Sequence, residues 1–529
     1  MKLTRVMLCS AAIAVLTLFC SPLVIAAGQG DNAVQALAEY FDYLVSGNTE
    51  SATMMWTESA QERSARFGII YTGIPIRVDA TSPIPRNIPL MRYHLQPAAK
   101  SADFINDAKD VKLEYNAMVE GRIVKWLYYA HQVKDYWWFT YPQDCYSAGW
   151  PIKESRYFRI HVHADKEQYL NQAALDEADA FVDRIADSLK LDKAARNEIA
   201  AKKIEYFFCD NSTTLTAITN QNTRGVLDQA SNDVISTDFP HFHEITHLLI
   251  NIKLKTLPLT TIPILREGIA VKFGGRWGKR ASSLMDLGAY LYRQKLVSLD
   301  SILTTNGFAS AAGADIAYPV AGNFSAYLLT RLGMAKFFDL YLSMSRSDNS
   351  LDTLSLPEIQ SALCKVLAKN DWTEVVTDFE AYLDSALPSM SVAVAGQEPK
   401  GTVLIKGDGF TATSDRDWLN FEFNVDTAAH DGALLFGADK RLKGAHSYLW
   451  DEQYRDEPFS GYRYAVRFDQ NEAGLYDYAT NELLAKYIFG ISPSEGYFDS
   501  ATQKVRISFR SNLVGKTVPA NGDYLFLGK

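Results

Sequence analysis

Apolar residues recur at helical spacing between Asp31 and Gly47, where Val34, Leu37, Phe41 and Leu44 make one stripe. Asp31 is a candidate N-cap and Gly47 the stop. A second helix is predicted near Ala52 to Phe67. Pro75, Pro83, Pro85, Pro89 and Pro97 then predict an extended loop, because each removes a backbone donor and restricts φ. Val111 to Val119, Ile123 to Val133 and Tyr136 to Tyr141 follow as strands rich in aromatic and branched residues. Near Ser155 the pattern restarts. Phe158, Ile160 and Val162 alternate with Arg159, His161 and His163, which predicts a half-buried strand. A helix from Glu167 to Leu189 and strands at Lys203 to Cys209 and Asp233 to Thr237 come next. Helical periodicity returns at Phe324 to Leu332, Ala335 to Ser343, Leu356 to Leu367 and Trp372 to Leu387. From Gly401 the chain alternates and turns, predicting a β-rich module with a helical insert near Asn481 to Ile488.

These shifts divide the mature chain into segments 31–150, 155–390 and 400–529, an α+β, multidomain organisation. The length of 529 residues agrees, since it exceeds one ordinary core and sets a prior of about three or four domains. In the first segment, helices precede curved strands carrying Trp126, Trp137 and Trp138. That order resembles the small cone-shaped fold of the nuclear transport factor 2-like group, though aromatics at strand spacing are first of all core residues.

Lys2 and Arg5, the apolar run Val6 to Phe19, then Pro22 and the small pair Ala26 and Ala27 have the layout of a secretory signal peptide, residues 1–27. The rival is an uncleaved anchor, because Val6 to Ala27 is long enough to cross a bilayer. Phe19 is too bulky to precede a lipidated Cys20. The expected location is therefore outside the cytoplasm, periplasmic or extracellular, with no stable membrane span once the leader is cut. Cys9 and Cys20 leave with it, and Cys145, Cys209 and Cys364 allow one disulfide at most. A net charge of −9 argues against nucleic acid as a partner.

The chemistry concentrates in Pro240-His241-Phe242-His243-Glu244-Ile245-Thr246-His247, an HExxH pattern. Pro240 suits a first helical position with Asp238 upstream as cap. At about 100° per residue His243 and His247 lie about 40° apart, with Glu244 within about 60° of His247. Phe242, Ile245, Leu249 and Ile252 take the other side, so one face can enter the core while the other holds an ion. Two imidazoles one turn apart can bind one zinc, and a catalytic zinc needs a third protein ligand and an open position. The candidate third ligand is Glu267, in Ile264-Leu265-Arg266-Glu267-Gly268-Ile269-Ala270, on a second helix opened by Pro263 and closed by Gly274-Gly275. Glu267 points away from the stripe Leu265, Ile269 and Phe273, and Gly268 leaves room for the two helices to approach. His161 and His163 also share a strand face, with no third ligand near them in sequence. A solvated face is the plainer reading there.

HExxH followed by Leu-x-Glu-Gly-x-Ala on the next helix resembles the glutamate zincins, the group that includes thermolysin and aminopeptidase N. The match is specific around His243 to Ala270. It implies a zincin-like domain within 155–390, zinc as cofactor, His243, His247 and Glu267 as its ligands, and Glu244 as general base. The absence of a further His soon after a Gly argues against the metzincins. Thermolysin-like members place an Asp four residues after the ligand Glu, where this chain has Val271, so support for the imidazoles must come from elsewhere, such as a main-chain carbonyl. Aminopeptidase-like members use a later tyrosine as oxyanion donor. Tyr318 is placed for that role, with Arg266 and His241 as nearby alternatives.

The function expected from these residues is hydrolysis of a peptide or protein substrate by zinc-activated water. The alternative class is a non-catalytic envelope binding or scaffold protein that keeps the fold as structure.

Overall fold

The computed structural model describes residues 33–86, 102–105, 109–119, 122–310, 313–345, 354–386, 401–415, 418–424, 432–442, 461–469, 472–477, 479–480, 482–488, 496–499, 502–514 and 524–528. The predicted leader, residues 1–27, lies outside the described residues. Mixed α+β structure runs throughout, and the chain divides into two compact units. One takes the chain up to Glu62 together with Ser82–Cys145; the other takes Arg63–Thr81 and Tyr146–Lys529.

In the first unit the helix Ala33–Ser46 buries Ala36, Leu37, Tyr40, Phe41 and Leu44, the predicted stripe widened by its aromatics. An antiparallel sheet follows, in the order 102–105, 110–119, 122–133, 136–140. Tyr40 packs against Phe139 with ring centroids 5.1 Å apart and against Tyr128 at 5.9 Å. Of the three tryptophans expected in the core, Trp137 is buried, while Trp126 and Trp138 are half-buried.

The segment 63–81 departs from the expected division at 150/155. Phe67, Ile69 and Tyr71 are buried in the core of the second unit, and Ile70–Tyr71 pairs in parallel with Thr256–Leu257. Arg66 and Arg63 reach the buried Asp233 at 3.0 and 3.5 Å. The physical reason is that the apolar side chains Phe67, Ile69 and Tyr71 are buried by completing a core assembled from residues far ahead of them in the chain. In the predicted loop, Pro83–Arg86 forms a helical turn, and 87–101 lies outside the described residues.

The second unit is built on a five-stranded sheet in the order 152–154, 158–162, 204–208, 233–236, 225–228. Its three inner strands are parallel and both edges antiparallel. Helices Gln172–Ser188, Phe242–Leu254, Pro263–Gly274 and Ala314–Ser343 contribute to its apolar core. The last of these breaks at Gly333, whose φ of 73° is left-handed. The helices Lys193–Lys202 and Ser212–Thr219 and the edge strand Gly225–Asp228 have weak or short patterns that periodicity did not reveal, and the amphipathic helix Ala281–Arg293 is a further element not expected from the sequence.

The β-rich segment forms two five-stranded sheets whose facing sides share one core, with Phe421, Phe423 and Phe509 against Leu434, Phe436 and Phe468. The expected helix near Asn481 to Ile488 is instead the strand Glu482–Ile488, paired antiparallel with Glu472–Asp477. Leucine and alanine favour helix, but an available sheet partner overrides that preference. Buried ion pairs tie this sandwich to the helices. Arg280 reaches Asp477 at 3.0 Å and Glu482 at 3.3 Å, and Arg463 reaches Asp477 at 3.0 Å and Glu177 at 3.3 Å.

Cys145, Cys209 and Cys364 are free thiols. Among the described residues, no helix is long and apolar enough to cross a membrane.

Gly268 proves to be a packing residue for a different neighbour than expected. A Cβ there would overlap the Ala321 carbonyl and the Ser325 hydroxyl of the long helix, and the residue that lets the second helix approach the motif helix is Gly274, against His243 Cα. Gly268→Ala should therefore destabilise by about 1–3 kcal/mol, since backbone cannot yield as a side chain can. The urea midpoint should fall with an unchanged slope.

Candidate metal centre

The motif helix Phe242–Leu254 starts two residues later than the sequence suggests. Its N-cap is His241, whose Nδ1 accepts from the Glu244 amide at 3.4 Å, and Pro240 precedes the helix. Asp238 is not the cap; it accepts from Arg224 at 2.9 Å. His is an uncommon cap, so nothing in the sequence favoured it over an aspartate nearby. The second helix, Pro263–Gly274, has Pro263 at its first turn and Gly275 as C-cap with φ of 70°. These two helices and their caps position every ligand candidate.

His243, His247 and Glu267 converge. His243 Nε2 lies 3.2 Å from His247 Nε2 and 3.1 Å from Glu267 Oε2, and His247 Nε2 lies 3.4 Å from Glu267 Oε2. Tetrahedral sites with ligands near 2.0–2.2 Å have ligand–ligand edges of about 3.3 Å, so the triangle fits such an ion. Its atoms are well withdrawn from water, with His243 1% and Glu267 6% exposed.

The hydrogen bonds decide what the triangle presents. His243 Nδ1 lies 2.7 Å from the Gly275 carbonyl, which can only accept, so Nδ1 carries the proton and Nε2 offers a lone pair. Burial pushes the His243 imidazole down to about 4, so it is neutral at physiological pH. Glu267 is held well below the usual carboxylate range: burial opposes ionisation, but Arg266, His247 and His243 outweigh it. An ionised oxygen and an unprotonated nitrogen thus stand 3.1 Å apart with no proton to share between them. Two lone pairs directed at one place call for a cation. Gly275 supplies the main-chain support expected in place of an Asp at Val271.

Arg276 was missed by sequence reasoning and stands at this same place. One terminal nitrogen lies 3.1 Å from His243 Nε2 and 3.7 Å from Glu267 Oε2, while the guanidinium covers the Tyr318 ring at 3.6 Å. Its only sequence signal is its position just past the Gly-Gly stop. Arg266 Nε donates to Glu267 Oε1 at 2.8 Å, so it orients the third ligand candidate rather than facing an oxyanion.

Glu244 is 9% exposed. Its Oε2 accepts from the Leu227 amide of the edge strand at 2.9 Å, and its other oxygen has no hydrogen-bond partner among the described residues. Burial raises its carboxyl, but His243, His247 and His241 outweigh that and hold it below its ordinary value. One oxygen is anchored and the other is available to a proton. Tyr318 lies on the long helix with its ring centroid 6.2 Å from that of His243. Burial and then the Glu267 charge push its phenol up to about 12, so it remains an O–H donor at neutral pH.

No family model, curated protein or solved structure matches this chain.

His161 and His163 do not form a pair. His161 Nε2 bonds Glu205 at 2.7 Å, and His163 instead caps the turn Ala164–Tyr169 and gathers with Asp165 and Asp210. That second group is partly exposed and carries no comparable set of buried supporting contacts.

Proposed function

We propose that the chain is an exported, zinc-dependent peptidase in which His243, His247 and Glu267 hold the metal and Glu244 is the general base. The observation that carries this reading is the lone-pair convergence of His243 Nε2 and Glu267 Oε2, 3.1 Å apart and closed into a triangle by His247. When bound there, zinc supplies a Lewis acid for the scissile carbonyl and acidifies a water. Glu244, anchored by the Leu227 amide through one oxygen, takes the water proton on the other and passes it to the leaving amine. Tyr318, kept protonated by its surroundings, donates to the developing oxyanion. Gly275 and Arg266 orient His243 and Glu267. Export rests on the leader pattern of residues 1–27, and the glutamate zincin resemblance remains part of this proposal. A nuclear transport factor 2-like origin of the first unit belongs to the same proposal.

A second reading, the non-catalytic scaffold, has one observation in its favour. Arg276 already brings a positive charge to two of the three ligand candidates. The two readings separate on turnover by the metal-loaded protein. The purified protein is expected to carry about one zinc per chain, to cleave peptides, and to lose both on chelation with recovery on zinc addition. Zinc retained without cleavage across a broad peptide library favours the scaffold. Protein that takes up no zinc at all sinks the peptidase.

A further inference from the structure

Beside the ligand triangle, and touching it only through His243, lies a small open cleft of about 30 Å³. One wall is the start of the motif helix. The other combines the turn after the second helix, with Arg276 and Lys279, and the β-sandwich, with Thr480 and Glu482. Strand Glu482–Ile488 is held in that position by Arg280, through Glu482 and Asp477.

The acids and the donors of this cleft differ in their commitments. Asp238 is engaged by Arg224 at 2.9 Å and Glu482 by Arg280 at 3.3 Å. Thr480 is 4% exposed, and its hydroxyl has no partner among the described residues. The buried Nε of Arg276 also has none, because that residue meets the triangle through a terminal nitrogen. Among the described residues no hydrogen bond or ion pair engages the ammonium of Lys279, whose side chain is half-buried. Burial and then the Lys486 charge shift it below its ordinary value, only partly countered by Glu472, a cost that a directly bonded negative partner would offset. The uncommitted groups are thus a guanidinium N–H, an ammonium and a hydroxyl. All three can donate and two are cationic, and with Asp238 and Glu482 already engaged by other cations these donors are left without an acceptor bearing negative charge.

We propose that this cleft is a substrate subsite for a carboxylate, so that the chain prefers acidic peptides. The inference rests on the reading of the chain as a peptidase. It assigns the β-sandwich a part in substrate choice, through Thr480. The carboxylate could belong to a Glu or Asp side chain or to a free peptide C-terminus, since both present the same two oxygens to the same donors.

The test uses zinc-reconstituted full-length protein and matched quenched-fluorescence peptides. One set is neutral and C-terminally amidated, one carries Glu for Gln at each position in turn, and one has a free C-terminus. Acid-bearing peptides should be cleaved with kcat/KM about tenfold above their neutral partners, the worth of one or two charge-assisted hydrogen bonds. A gain at one fixed distance from the cut assigns a side-chain carboxylate; a gain confined to free C-termini assigns the terminus. Equal kcat/KM across the sets overturns the subsite. If no peptide is cut, the peptidase reading is what fails, and calorimetric titration of the same peptides into Glu244→Gln protein decides the subsite separately. Binding that favours acid-bearing peptides sustains it, and equal or absent binding overturns it. Lys279→Met and Thr480→Val should each lower the acid-over-neutral ratio, and a ratio unchanged in both variants also overturns the proposal.

Discussion

Glu244→Gln is expected to lower kcat/KM for peptide cleavage by about a thousandfold, within the 10²–10⁴ that a general base contributes, while leaving bound zinc near its original level. The side chain keeps its shape, and an amide oxygen can still accept from Leu227 N, now 2.9 Å from the carboxylate. What is lost is the basic oxygen alone. None of the three metal-ligand candidates is altered, so metal analysis of the variant should match the parent. The measurement pairs steady-state kinetics with metal quantitation on the same preparation. Cleavage that survives at parental level removes Glu244 from the mechanism. Loss of metal together with activity would show instead that Glu244 shapes the site.

Glu267→Ala is expected to act twice. The variant should lose zinc affinity by more than about a hundredfold, since even supporting residues outside the ligand set cost 10–100-fold when removed. It should also be less stable when metal is absent. Glu267 neutralises Arg266 at 2.8 Å and faces Arg276 at 3.7 Å, and truncation leaves those guanidinium groups without their carboxylate. Removing one partner of a buried pair costs about 3–5 kcal/mol, and the partial exposure of Arg266 places this case near about 2–3 kcal/mol. Urea denaturation with chelator present isolates that part. His247→Ala is the control, because it removes a ligand candidate without orphaning a charge. Its affinity loss should be similar and its metal-free destabilisation smaller. Equal stability of the two variants in chelator would contradict the electrostatic role given to Glu267.

Local pattern made much of the candidate site legible. Helical geometry alone places His243 and His247 on one face and Glu267 away from the stripe of Leu265 and Ile269, and those helices form with Pro263 and Gly275 at the expected ends. Where the reading failed, the deciding partner was distant in sequence. The helix-favouring run after Asn481 became a strand because Glu472–Asp477 offered it hydrogen bonds. Gly268 answered to Ala321 and Ser325 on the long helix. Arg276 carries no periodic signal, and its position follows from the turn that the C-cap at Gly275 imposes.

Local sequence was enough to single out which residues are candidates for metal ligation, which helix faces they occupy and that the chain mixes α and β structure, because periodicity and caps act within a few residues. Tertiary structure decided that the three ligand candidates meet within 3.4 Å, that the Gly275 carbonyl sets the tautomer of His243, and that residues 63–81 join the second core. Those outcomes depend on how separate apolar faces pack together, and no local pattern encodes the partner a buried surface will find.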